Sequence, residues 1–241
     1  MPDRSLTPAR SASGDDRPPS AGTNDARGAA GVFVPRGIEI SPERVLRVMG
    51  YRQDAPIRAP VRRTAEAMAA LAATAATPAA AYRRVPIAGC TTEGLVLSTG
   101  TFFRGPTFAA YLSGCNEVAV FVLSLGGRFD STQKNLTAGG QTLEAYMLEI
   151  AGWLGIEEAT RHFRVHLKAE ARRDGLALTR RMAPGYTSRI DGRKVEWLLE
   201  DQPRFFSLFD ETALPARLLE GSCAMTPKMS RTGLYGLHLA Q

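Results

Sequence analysis

Arg181-Met182-Ala183-Pro184-Gly185-Tyr186 and, further on, Met225-Thr226-Pro227 with Ser230-Arg231-Thr232-Gly233-Leu234-Tyr235-Gly236 are the stretches that decide how this chain reads. An Arg ahead of Ala-Pro-Gly-Tyr sets a guanidinium fork beside a rigid kink and an aromatic ring. Pro184 fixes φ and Gly185 admits a close backbone approach. A guanidinium grips a carboxylate through two parallel bonds. Such a set suits a small anionic ligand with a flat or cationic part, and the second Gly-then-aromatic turn would supply the opposing wall. Between the two, residues 195–202 read as helix-like and are followed by Phe205-Phe206-Ser207-Leu208-Phe209.

Upstream, Ser41-Pro42-Glu43 opens a helix with an N-cap, a first-position Pro and a first-turn acid. Val45, Leu46, Val48 and Met49 give that helix an apolar face, and Gly50 ends it. Residues 61–82 are Ala-rich and read as a second helix, interrupted at Thr77-Pro78. Residues 82–85 and 94–98 read as strands, and 107–112 as a short helix ending at Gly114. The near-continuous apolar run 118–124, bounded by turns, predicts a buried strand. Leu143, Tyr146, Met147, Ile150 and Leu154 recur at helical spacing, and the pattern continues through Phe163 and Leu167 with room for a break. Strands mixed irregularly with helices predict an α+β fold: a single domain with a mixed or antiparallel sheet and flanking helices.

In their order and spacing the two motifs resemble the activation domain of cobalamin-dependent methionine synthase, in its short stand-alone form. The likeness is specific over residues 181–236, where Met-x-Pro-x-x-Ser-x-(Ser/Thr)-Gly-x-Tyr is matched with Thr232 in the Ser/Thr slot, and looser over 40–166. The resemblance implies an S-adenosylmethionine site built from Arg181, Ala183, Gly185, Tyr186 and Tyr235. Glu157, five residues after Gly152 on the long helix, would stand near the ligand's cationic part. Gly236 departs from the pattern, since the family sometimes carries a bulky aromatic there. The implied function is reductive methylation, and so reactivation, of cobalamin held in trans by a methionine synthase or related corrinoid protein. This is a methyltransferase role in methionine biosynthesis, with a flavodoxin or reductase as electron donor. The alternative is a non-catalytic docking module for a corrinoid protein. The Asp-x-His-x-x-Gly signature of cobalamin-binding modules is missing, so cobalamin is expected on the partner and not on this chain.

Composition narrows the remaining choices. Lys and Arg outnumber Asp and Glu to leave a net charge of +6, but the basic residues come as scattered pairs without interleaved aromatics, which argues against nucleic acid. Cys90, Cys115 and Cys223 are too widely spaced for a zinc ribbon or a disulfide framework. His162 and His166 share a helix face, yet no third ligand accompanies them, and no metal site is expected. There is no G-x-G-x-x-G after a strand and no P-loop lysine. With neither a secretory leader nor a membrane-length apolar run, the reading is a cytoplasmic protein off the membrane.

Residues 1–30 carry Pro2, Pro8, Pro18 and Pro19, balanced charges, and almost no large apolar residue. They are expected to form a disordered tail before a domain spanning 31–241, because such a segment cannot bury enough surface to offset its ordering entropy. Deleting residues 1–30 should therefore leave the melting temperature nearly unchanged in a thermal scan. A fall of many degrees would show that the tail packs on the domain.

Overall fold

The run at 118–124 is apolar without alternation because it is covered on both faces. It belongs to the centre of one antiparallel sheet in the computed structural model, which describes residues 30–52, 56–209 and 213–240. The expected tail, Ala30 apart, lies outside the described residues. The chain runs β1 (Gly31–Phe33), α1 (Pro42–Val48), α2 (Ala59–Ala75), β2 (Ala79–Cys90), β3 (Gly94–Leu97), β4 (Phe102–Arg104), α3 (Thr107–Tyr111) and β5 (Cys115–Ser124). It continues through α4 (Gly127–Ala138), α5 (Thr142–Arg173), β6 (Leu176–Leu178), β7 (Thr187–Ile190), β8 (Arg193–Glu196), α6 (Gln202–Phe206), β9 (Arg217–Leu218), β10 (Met225–Thr226) and β11 (Ser230–Leu239). The main sheet has the order β4-β3-β2-β5-β11-β6, with β1 beside the first part of β2, and every pairing is antiparallel. The α+β expectation holds, and the sheet is antiparallel rather than mixed.

Side chains of β5 divide by parity, as a pleated strand requires. Ala119, Phe121 and Leu123 face the helical layer of α1, α2 and α5. Val118, Val120 and Val122 face a second core built by β3, β4, α3 and the segment carrying Trp197, Phe205, Leu208 and Phe209. β11 repeats the division, with Tyr235 and Leu237 toward the helices and Leu234 toward the second core. The site therefore hangs on a strand that is anchored on both sides.

The long helical pattern is one uninterrupted helix of 32 residues, with no break before Phe163 and Leu167. Gly152 is what lets α4 lie against it: a Cβ there would stand 2.3 Å from Cζ of Phe129. α1 begins as read, with the Ser41 hydroxyl accepting from the Arg44 N–H at 3.2 Å.

Three local expectations are corrected. The Ala-rich stretch is not helical to residue 82: α2 ends at Ala75, and Ala79-Ala80-Ala81 enter β2. Pro78 disfavours helix at Thr77. Beyond it, Ala80 and Ala81 fit the buried strand pairing with Leu123 and Val122, so tertiary packing overrides helix propensity. Val195 and Glu196 are strand, because Asp191-Gly192 both take positive φ (48° and 76°) and fold β7 onto β8 in a tight hairpin. Only from Leu199 does the chain coil, in a 3-10 turn leading to α6. Residues 230–236 are not a turn but the body of β11, and β1, β4 and α4 were not anticipated.

Candidate functional site

Ala183-Pro184-Gly185-Tyr186 forms a β-turn closed by the Tyr186 N–H donating to the Ala183 carbonyl at 3.2 Å. Gly185 sits at φ 79°, the conformation a type II turn demands after Pro at its second position. The turn is held from two directions. Met182 exchanges backbone bonds with Leu234 of β11 at 2.9 and 2.8 Å, while the Gly185 N–H donates to the Trp197 carbonyl at 2.6 Å and the Trp197 N–H to the Tyr186 carbonyl at 3.1 Å. Trp197 itself is buried between Phe103 and Phe108, ring centroids 5.1 and 5.0 Å away, and its indole N–H donates to Asp201 at 2.9 Å.

This turn forms one wall of a groove of about 500 Å³. Gly185, Tyr186 and Leu199 lie on one side, Trp153 and Ile156 of α5 on another, and Met225, Lys228 and Arg231 on the third. At its floor Gln202 and Thr232, both buried, share two side-chain hydrogen bonds at 3.1 and 3.3 Å. The Arg181 guanidinium lies over the half-exposed Tyr186 ring, 4.5 Å from its centroid, and donates to the Thr232 carbonyl at 3.1 Å. Among the described residues no carboxylate hydrogen-bonds it. A cation braced by an aromatic face and one carbonyl keeps donors for an anion.

The structure thus brings Arg181, Ala183, Gly185 and Tyr186 together around one turn, where Gly185 and Tyr186 line the groove and Arg181 and the buried Ala183 lie behind them, outside its lining. Their backbone groups are partly committed, since the Gly185 N–H and the Ala183 carbonyl are used in holding the turn. Glu157 stands beside the groove on α5, bonded by the Arg231 guanidinium at 2.6 Å, which holds its carboxyl below the usual range. Tyr235 does not line the groove. Its ring is buried in the helical core, stacked on Phe121 at 5.8 Å, and burial raises its hydroxyl pKa against the opposing field of Arg181. Parity on β11 decides this: Leu234 and Tyr235 face opposite cores.

Sequence reading passed over Lys228, Arg231, Trp153 and Gln202. Arg231 occupies a variable slot of its motif, and Trp153 was legible only as an aromatic four residues from both Glu149 and Glu157. His162 and His166 each meet an acid of α5, Glu158 at 3.2 Å and Glu170 at 3.4 Å, and His166 also stacks on Phe33. No group of three His, Cys, Asp or Glu side chains that could hold a metal occurs among the described residues. No described helix is long and apolar enough to cross a membrane.

No protein-family model and no curated protein matches the chain by sequence. The fold is informative. It is that of the MetH reactivation domain. The crystal structure of that domain bound to AdoHcy superposes with a TM-score of 0.56 at 14% identity, covering 90% of this chain and 80% of the other. At that identity the likeness concerns architecture; the ligand reading rests on the groove.

Proposed function

We propose that this chain binds S-adenosylmethionine in the groove and presents it to a cobalamin carried by a partner, a methionine synthase or related corrinoid protein. The observation that carries the reading is the Arg181 guanidinium over Tyr186, beside a Pro-Gly turn that walls the groove. The likeness to a domain crystallised with AdoHcy supports it. The residues fit the ligand: about 500 Å³ is ample for a nucleoside amino acid, and Arg181, stacked on the groove-lining Tyr186, would hold its carboxylate at the groove's edge. Gly185, without a side chain, lets the flat base approach the turn, and Tyr186 offers a π face to the sulfonium.

Cobalamin held by the partner, once reduced by one electron from a flavodoxin or reductase, would supply the nucleophile. The methyl group would pass from sulfur to that nucleophile, whose electron pair makes the new bond to carbon while the pair of the broken C–S bond stays on sulfur as a neutral thioether. No proton moves in that transfer, so this chain's residues need only orient the ligand and keep water from it. Arg181 and the turn do the first, and the apolar flank of Trp153, Ile156 and Met225 does the second.

Calorimetry should show S-adenosylmethionine binding to the wild type, and Arg181→Ala should weaken it by about 1.5–3 kcal/mol, the worth of a hydrogen bond to a charged group. Equal affinities would remove Arg181 from the site. With a corrinoid partner and a reductant, the chain should accelerate formation of S-adenosylhomocysteine. Tight binding without acceleration would favour the docking-module reading.

A further inference from the structure

α5 is divided in charge along its length. Residues 142–160 carry Glu144, Glu149, Glu157 and Glu158 and no Lys or Arg, whereas residues 161–173 carry Arg161, Arg164, Lys168, Arg172 and Arg173 against Glu170 alone. A helix dipole favours acids in the first turn and bases in the last, and its influence fades beyond them. The change of sign between Glu158 and Arg161 falls in mid-helix, where the dipole does not require it.

One side of the same helix is left uncovered. Tyr146, Trp153, Glu157, Arg161, Lys168 and Arg172 follow one another at intervals of four and seven, which sets them in one row, and all are exposed. Trp153 is 66% exposed, Tyr146 55%, and Val165, at the edge of the row, 60%. Tyr146 and Trp153 also line an apolar cleft of about 320 Å³ that Val48 of α1 shares. Large apolar side chains exposed together in this way mark an interaction surface.

The row is complementary to itself. An antiparallel copy of α5, related by a two-fold axis at residue 159, sets Trp153 against Val165 of the copy, Glu157 against Arg161, and Tyr146 against Arg172. Two-fold symmetry repeats each pairing, so apolar meets apolar, acid meets base and a guanidinium meets a ring twice over. A parallel copy would set the acidic half on the acidic half. From Tyr146 to Arg172 the row is about 40 Å long and about 10 Å wide. Two copies would therefore cover on the order of 1,000 Å², the lower bound for a specific interface.

We propose that the chain pairs with a second copy of itself through this antiparallel α5–α5 contact, as a weak dimer that forms with concentration. Trp153 also walls the groove, so the second copy stands at the groove's rim.

Sedimentation equilibrium of the full chain, over concentrations that span a micromolar dissociation constant, tests this. The mass should climb from the 26.0 kDa of one chain toward twice that value. Trp153→Glu should hold it at one chain throughout. Glu157→Arg and Arg161→Glu each bring like charges together in a pair of identical copies, and each should weaken association about tenfold. Mixed one to one, the two variants regain both attractions across the axis, and the mixture should associate as tightly as the wild type. Thermal melting shows that each variant is folded. A wild type that stays at the mass of one chain, a folded Trp153→Glu that still dimerises, or a mixture no tighter than either variant alone overturns the inference.

Discussion

Replacing Tyr235 by Ala should lower the unfolding free energy by about 3–5 kcal/mol, the usual cost of truncating a buried aromatic. The ring is 1% exposed and stacks on Phe121, which in turn packs on Phe163 of α5 at 4.9 Å, so its removal opens a void where β5, β11 and the long helix meet. Urea unfolding would read this as a fall in midpoint. Tyr235→Phe keeps the stack and should stay within about 1 kcal/mol of wild type, because no hydrogen bond to the hydroxyl is seen among the described residues. The informative contrast is with ligand affinity. Should Tyr235→Ala retain near-native stability yet bind S-adenosylmethionine poorly, the ring would belong to the ligand wall and not to the core.

Trp197→Ala should be at least as damaging, about 3–5 kcal/mol for the lost ring and about 1–3 kcal/mol more for the buried Asp201 oxygen that loses its donor. Against a typical total of about 5–15 kcal/mol, much of the molecule would be unfolded at room temperature. Trp197→Phe separates the contributions. It refills most of the space between Phe103 and Phe108 but cannot donate to Asp201, so it should lose chiefly the smaller part. Because the Trp197 backbone carries the Gly185 and Tyr186 bonds, the groove should loosen in step with stability, visible as weaker nucleoside binding at equal protein concentration. Circular dichroism melts unchanged in Trp197→Ala would refute this role.

What the sequence disclosed followed from how local each signal is. The cap at Ser41, the apolar run of β5 and the periodicity of α5 state their own structure, because a few neighbouring residues decide it. The Pro184-Gly185 turn was equally legible, since only one turn type suits that pair. Ala79–Ala81 were misread because small residues have strong helix propensity, and only their neighbours β1 and β5 make them strand. Tyr235 was placed on a turn because Gly followed by an aromatic resembles one. Its true setting depends on pairing with Ala119, more than a hundred positions earlier, which no local pattern encodes. Arg231 escaped notice for a similar reason: its meaning lies in Glu157, on another element. The Asp191-Gly192 hairpin, by contrast, was there to be read, and taking residues 195–202 as helix passed over it.

β11, which pairs with β5 on one side and β6 on the other, gives the order of synthesis a physical consequence. Until Ser230–Leu239 has left the ribosome, β5 has a partner only in β2, and its other edge presents unpaired amides and carbonyls along a strand that is apolar from Val118 to Leu123. Such an edge invites pairing with another nascent chain. Folding must therefore wait on the last strand of the sheet, and the growing polypeptide is a natural client for a chaperone that shields exposed edges until that strand arrives.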